Sequence, residues 1–217
     1  MNALDRHGAS ALHLALQAGS NGEKAKETRN SLVDLLLERG ADAKATDDQG
    51  KTPLHIAAMK GPVELLDRLV KAGAEITARD QFGRTPLHDA AMYNQLAVIE
   101  WLVAHEADIH AKDKQGYSPL HCAALRYRKE ATEKLIELGA AADAKDNQGD
   151  TPLHLTGSEG PEEPEVDRMM AEVAEVLIAK GADVNATDRA GSTPLQYAEA
   201  KKRAVLSTVL RNHGATE

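Results

Sequence analysis

The chain has 217 residues, a net charge of −8, 42% hydrophobic residues and only 3% aromatic ones. That apolar content excludes a disordered tail, and the acidic balance argues against nucleic acid as the main partner. A single cysteine, Cys122, excludes an intramolecular disulfide and Cys-rich zinc sites, and no stretch has the length and apolarity of a membrane span.

With one Phe and one Trp, the core must be built from Leu, Ala, Ile and Val. Such side chains fit many thin layers better than one thick core. A phrase, Asp-x-x-Gly-x-Thr-Pro-Leu-His, recurs along the chain. A degenerate copy opens it at Asp5 to His13, with Ala11 in place of proline. Full copies follow at Asp47 to His55, Asp80 to His88, Asp113 to His121 (with Ser118 for Thr) and Asp146 to His154. A second degenerate copy runs from Asp188 to Gln196. The glycines Gly8, Gly50, Gly83, Gly116, Gly149 and Gly191 are spaced 42, 33, 33, 33 and 42 residues apart. A closing Gly-Ala-Asp or a relative appears at Gly40, Gly73, Glu106, Gly139, Gly181 and Gly214.

Each unit reads as two helices. In the second, Gly50 permits a tight turn, Thr52 caps the first helix and Pro53 sits at its first position. Leu54, Ile56, Ala57 and Ala58 make that helix short and apolar. Val63, Leu65, Leu66, Leu69 and Val70 place one apolar face on the next, which Gly73 ends. No unit buries both faces alone, so neighbours must cover them.

The two 42-residue intervals each hold nine extra residues, in the loop between the helices. They fall near 20–28, around Ser20 to Thr28, and near 161–169, around Pro161 to Met169. Both lengthen the second helix backwards, to Glu23–Leu37 and Glu165–Ala179. The plain reading is loop growth, which is cheap at a surface. The sharper one makes the acids Glu159, Glu162, Glu163, Glu165 and Asp167 a recognition element. Glu106, where glycine is expected, implies a reshaped or strained turn. Lys201, Lys202, Arg203, Ser207, Thr208, Arg211 and Asn212 give the last unit a polar dressing. Met1-Asn2-Ala3 resembles the tail of a preceding unit, which leaves open a segment cut from a longer protein.

The 33-residue period and its Thr-Pro-Leu-His phrase resemble the ankyrin repeat, over essentially the whole chain. The resemblance implies an all-α repeat solenoid of stacked helix-turn-helix units with β-hairpin-like loops. The expected organisation is one domain over 1–217, with units at 5–46, 47–79, 80–112, 113–145, 146–187 and 188–217. It also implies a non-enzymatic module or scaffold that binds a protein partner through its concave face and hairpin tips. A targeting or regulatory domain of a larger protein is the alternative, and an enzyme is the rival from another class. No cofactor or metal is expected. An intracellular, cytoplasmic monomer is expected, with the nucleus left open.

His13, His55, His88, His121 and His154 share one repeat position. Equivalent atoms of stacked helices lie about 10 Å apart, too far for one metal. In ankyrin-like repeats this histidine is a buried hydrogen-bonding residue. Cys122 beside His121 does not make a nucleophile–base pair, because adjacent helical residues point about 100° apart. Trp101, matching Leu66 or Leu35 of other units, is expected in the core.

Recurring residues hold the fold, so the outward positions that vary carry recognition. The family pattern places these at the hairpin tips and just after the alanine pair of the first helix. In the second unit they are Asp48, Gln49, Lys51, Met59 and Lys60. The third gives Arg79, Gln81, Phe82, Arg84, Met92 and Tyr93, and the fourth gives Lys112, Lys114, Gln115, Tyr117, Leu125 and Arg126. The fifth gives Lys145, Asn147, Gln148, Asp150, Ser158 and Glu159. Rings flanked by arginine in the third and fourth units, on a basic face, predict an acidic partner segment with apolar anchors. Asn185, in Ala-Asp-Val-Asn-Ala, resembles the hairpin asparagine that some ankyrin proteins offer to asparaginyl hydroxylases.

Overall fold

A computed structural model describes residues 3–18 and 22–216. Among them are six pairs of neighbouring helices: α1 Ala11–Gln17 with α2 Glu23–Glu38, and α3 Pro53–Lys60 with α4 Val63–Lys71. α5 Pro86–Met92 pairs with α6 Leu96–Ala104, and α7 Pro119–Leu125 with α8 Lys129–Glu137. α9 Pro152–Thr156 and α10 Pro164–Ala179 follow, then α11 Pro194–Ala200 and α12 Ala204–Asn212. The first helices stack on one another in one layer and the second helices in another. No helix among the described residues is long and apolar enough to cross a membrane.

The repeated phrase sets the first helix of every pair. Ser10, Thr52, Thr85, Ser118, Thr151 and Thr193 are extended N-caps, each forming a capping box with the residue three positions on. The leucine of each phrase is at most 1% exposed, so the core runs unbroken along the stack.

The turn glycine meets two demands at once. Gly50 has φ 72°, and a Cβ there would lie 2.7 Å from the backbone nitrogen of Gln81 in the next unit. That close approach lets adjacent tips join. Gln81 N–H donates to the Gln49 carbonyl, Lys114 to Phe82, Asn147 to Gln115 and Arg189 to Gln148. These tips are turns rather than strands; the described residues contain a single β-bridge, Leu4 with Ser10.

Both insertions lengthen a second helix. α2 and α10 have 16 residues, where α4, α6, α8 and α12 have 9. Of the first insertion, Ser20 and Asn21 lie outside the described residues, as do Met1 and Asn2.

The second insertion ties units together. The Tyr127 hydroxyl donates to the Glu159 carbonyl at 2.5 Å, and Arg203 donates to the carbonyls of Pro161 and Gly160, both at 2.6 Å. The Asp167 carboxylate accepts from the N–H groups of Val205 and Leu206 and so caps α12. Asp167 is therefore a buried structural residue, not part of an acidic recognition strip. Glu162, Glu163 and Glu165 remain exposed.

Glu106 takes the left-handed conformation, φ 66°, in the place of the closing glycines. The turn is kept rather than reshaped, at a backbone cost of about 1 kcal/mol. Trp101 is half-buried rather than enclosed. Its ring packs on the core and stacks on His105 at 3.9 Å, while its indole N–H donates to Asp67.

Candidate functional site

The five histidines are structural joints. Each is fully buried. In the second unit the Thr52 N–H donates to His55 Nδ1 at 3.1 Å. The proton must then sit on Nε2, which donates to the Arg84 carbonyl of the next unit at 3.0 Å. His88, His121 and His154 repeat the arrangement onto the carbonyls of Tyr117, Asp150 and Ser192. His13 does so onto Lys51. Both ring nitrogens are occupied, so none is turned toward a ligand.

Burial drives the imidazoles of His88 and His121 down to about 4, since a charged ring there would lose its water and the N–H that Nδ1 now accepts. Cys122 is buried beside His121, and burial pushes its thiol far up. Nothing in this pair can form a thiolate nucleophile.

Several outward residues of the sequence reading prove to have internal work. Lys51 is buried, and its Nζ reaches both carboxylate oxygens of Asp89 in the next unit, at 2.8 and 2.9 Å. Asp80 lies 3.7 Å from the same Nζ. Asp150 of the fifth unit is likewise buried, 2.9 Å from the Tyr197 hydroxyl of the sixth. Lys51 and Asp150 occupy one repeat position, and Asp89 and Tyr197 another. These two positions meet at the boundary between the second and third units and again between the fifth and sixth, so there they carry pairing between units rather than an open face.

Arg79 and Lys112 form a ladder along the tips. Arg79 donates to the carbonyls of Gly83 and Lys112, Lys112 donates to Lys145, and Lys145 to Thr187. Their charges stay exposed at the tips, but their donors already position neighbouring turns.

Six of the ten residues singled out as partner-binding come together. Phe82, Arg84, Met92, Tyr117, Leu125 and Arg126 line one open concavity of about 280 Å3, between the tips and α5 and α7. Asp113, Gln115, Cys122 and Glu159 complete its wall. Tyr93, exposed at the end of α5, and Met59, half-buried on α3, do not line it.

Phe82 is 40% exposed, and the Arg84 guanidinium lies 4.5 Å from its ring centroid. Arg84 also pairs with the buried Asp80 carboxylate at 3.2 Å. Burial alone would raise Asp80. The Arg84 N–H and charge, the Phe82 N–H and Lys51 outweigh it and hold the carboxyl below its ordinary range.

Tyr117 is stacked on His121. Burial first, then the carboxylates of Asp146 and Asp150, push its phenol up to about 12, so it remains a neutral hydroxyl. The site is therefore an apolar floor of Phe82, Met92, Tyr117 and Leu125. Arg84 is fixed within it, and an exposed Arg126 and Glu159 stand at its rim.

Glu159 and the internal pairing of Lys51 both reduce the basic excess read from the sequence. What remains positive is Arg126 and the tip residues Arg79, Lys112 and Lys114. The contacts of Lys51 and Asp89, 38 positions apart, left no local sign.

Asn185 is half-buried, with its amide engaged at both ends. It donates to the Gly214 carbonyl at 3.1 Å and accepts from the Thr216 N–H at 2.9 Å. A modifying enzyme would first have to release the segment after Gly214.

A family profile of ankyrin repeats (three copies) matches residues 23–113 and again 106–163. A profile of the single ankyrin repeat matches residues 148–189. Comparison with curated proteins gives no match. Ankyrin repeats are in general protein–protein interaction modules. The matched profiles span most of the array, and the chain belongs to the ankyrin-repeat family.

Proposed function

We propose that this chain is a non-enzymatic binding module whose partner is a protein segment lying across the third and fourth units. The single observation behind this is the concavity in which Phe82, Met92, Tyr117 and Leu125 form an apolar floor beside two arginines. Rings and arginines in a partly enclosed depression have the composition of interface anchors. Apolar side chains of the partner would enter the floor. Its carboxylates would meet Arg126 and the exposed charges of Arg79 and Lys112 at the tips, with Met59 and Tyr93 as flanking contacts. The partner is thus acidic with apolar anchors. The module works as one array over 1–217, with units bounded as the repeat predicts, in the cytoplasm.

Selection from a random peptide display library tests this. The enriched peptides should combine an aromatic or aliphatic anchor with carboxylates. A Phe82→Ala, Leu125→Arg variant should lose them, whereas Glu133→Lys on the opposite side should keep them. Equal retention by the concavity variant would refute the proposal.

A further inference from the structure

The two pairing positions are not filled alike along the array. One is taken in turn by Ala9, Lys51, Arg84, Tyr117 and Asp150, and the other, in the following unit, by Ile56, Asp89, Cys122, Leu155 and Tyr197. Lys51 with Asp89 and Asp150 with Tyr197 are complementary, and both contacts are formed. Ala9 with Ile56 and Tyr117 with Leu155 set largely apolar groups against each other. Arg84 alone is matched with a side chain that brings neither charge nor a strong acceptor, the thiol of Cys122.

Cys122 is buried, and burial keeps its thiol protonated, so the fourth unit gives Arg84 no anion at this position. Arg84 turns back onto its own unit. Its Nε donates to Asp80 Oδ2 at 3.2 Å, and its guanidinium lies 4.5 Å from the Phe82 ring centroid. The terminal N–H groups reach no acceptor among the described residues. Asp113, in the wall of the same concavity, gives its Oδ1 to the N–H groups of Gln115 and Tyr117 instead. The Arg84 side chain is 20% exposed, against 8% for the paired Lys51. It lines the concavity, so its free edge is open to whatever enters there.

We propose that the partner supplies the carboxylate that the fourth unit omits, and that Arg84 is the specificity-determining residue of the concavity. It takes one Asp or Glu side chain of the bound segment, close in sequence to the apolar anchor that settles beside Phe82. This rests on the reading that a protein segment binds in the concavity, and names the group by which that segment is told apart.

The guanidinium suits that task because it is already fixed. Asp80 holds one edge and Phe82 one face, so little side-chain freedom is lost when a carboxylate arrives. The remaining edge can donate two parallel N–H···O bonds to it. A phosphate fits less well, since Asp80, Asp113 and Glu159 stand around the arginine and oppose a second negative charge. Arg126 acts differently. It is exposed at the rim and speeds encounter with an acidic segment, whereas a pair formed inside the concavity slows its departure.

Surface plasmon resonance with the intact chain and a display-enriched peptide tests the proposal. Each Asp and Glu of the peptide is replaced in turn by its amide. One replacement should weaken binding by about tenfold or more, chiefly through the off-rate. The same replacement should cost less than about twofold against Arg84→Met, because the pair it breaks is already gone. Cys122→Asp restores the arrangement of Lys51 with Asp89 and occupies Arg84 from within. It should weaken the carboxylate peptide and leave the amide peptide as it was. Circular dichroism melting checks that both variants fold, and the peptide replacements on the unaltered chain decide the matter if Cys122→Asp does not. Peptides that need Phe82 and Leu125 but tolerate every amide, or that lose as much against Arg84→Met as against the wild type, would overturn this inference alone. A library that yields no peptide dependent on Phe82 and Leu125 would overturn the binding reading, and this inference with it.

Discussion

Acid should loosen the array through its histidine joints, well above the pH at which carboxylates titrate. His88 and His121 sit near 4 in the folded chain against 6.5 when exposed, and burial lowers His55 as well. A folded pKa below the unfolded one means that the unfolded chain binds more protons between the two values. Stability is then fully present above about pH 6.5 and falls as pH drops toward 4. At pH 5 the two depressed values correspond to a loss of about 2 kcal/mol for each ring, or about 4 together. Asp113 and Asp150, raised chiefly by burial, act in the opposite sense above their ordinary carboxyl range and so offset part of the loss at the acid end of this window. Urea denaturation at pH 7, 6 and 5 measures the slope directly. The chain supplies its own control, because Gln196 Oε1 already accepts the Thr193 N–H in the last unit, where the others use histidine. His88→Gln should lose about 1 kcal/mol at pH 7 with the bond to Tyr117. It should then fall less steeply toward pH 5. Stability that is flat from pH 7 to 5, or a slope untouched by His88→Gln, would refute the reasoning.

Three further changes probe other parts of the stack. The Thr132 hydroxyl is buried on α8 without a hydrogen-bond partner, so Thr132→Val should stabilise by about 1 kcal/mol and raise Tm by roughly 3 °C; calorimetry reads both. Lys51→Met strands the buried Asp89 carboxylate and should cost about 3 kcal/mol in urea unfolding, while Lys51→Met with Asp89→Leu should regain most of it. Glu106→Gly relieves the left-handed turn and should gain roughly 0.5–1 kcal/mol, with slower hydrogen exchange at Ala107, whose N–H bonds to Leu102.

The sequence made the frame legible because its signals are local and periodic. Thr-Pro-Leu-His fixes cap, helix start, core leucine and joint within four residues, and the same four repeat at 33. Even the long helices could be read, since Glu23–Leu37 and Glu165–Ala179 each continue one apolar spacing; α2 and α10 end within a residue of those limits. Pairing between units was not legible. Lys51 looks like any tip lysine until the fold sets Asp89 beside it. Asp167 looks like one acid among five until α12 arrives beneath it with two free N–H groups. Outward direction was therefore overestimated wherever a polar residue had a partner one unit away. The candidate site was legible in part, because Phe82, Tyr117 and Leu125 depart from the repeat, but their convergence depends on how the third and fourth tips stack.

The central claim is that the irregular residues of the third and fourth units form the binding surface. NMR titration of the labelled chain with a peptide enriched by display selection tests it most directly. The account predicts shift changes at Phe82, Arg84, Tyr117, Leu125 and Arg126, along α5, α7 and their tips. Changes concentrated instead on the second-helix layer, at Glu100 and Glu133 of α6 and α8, would contradict it.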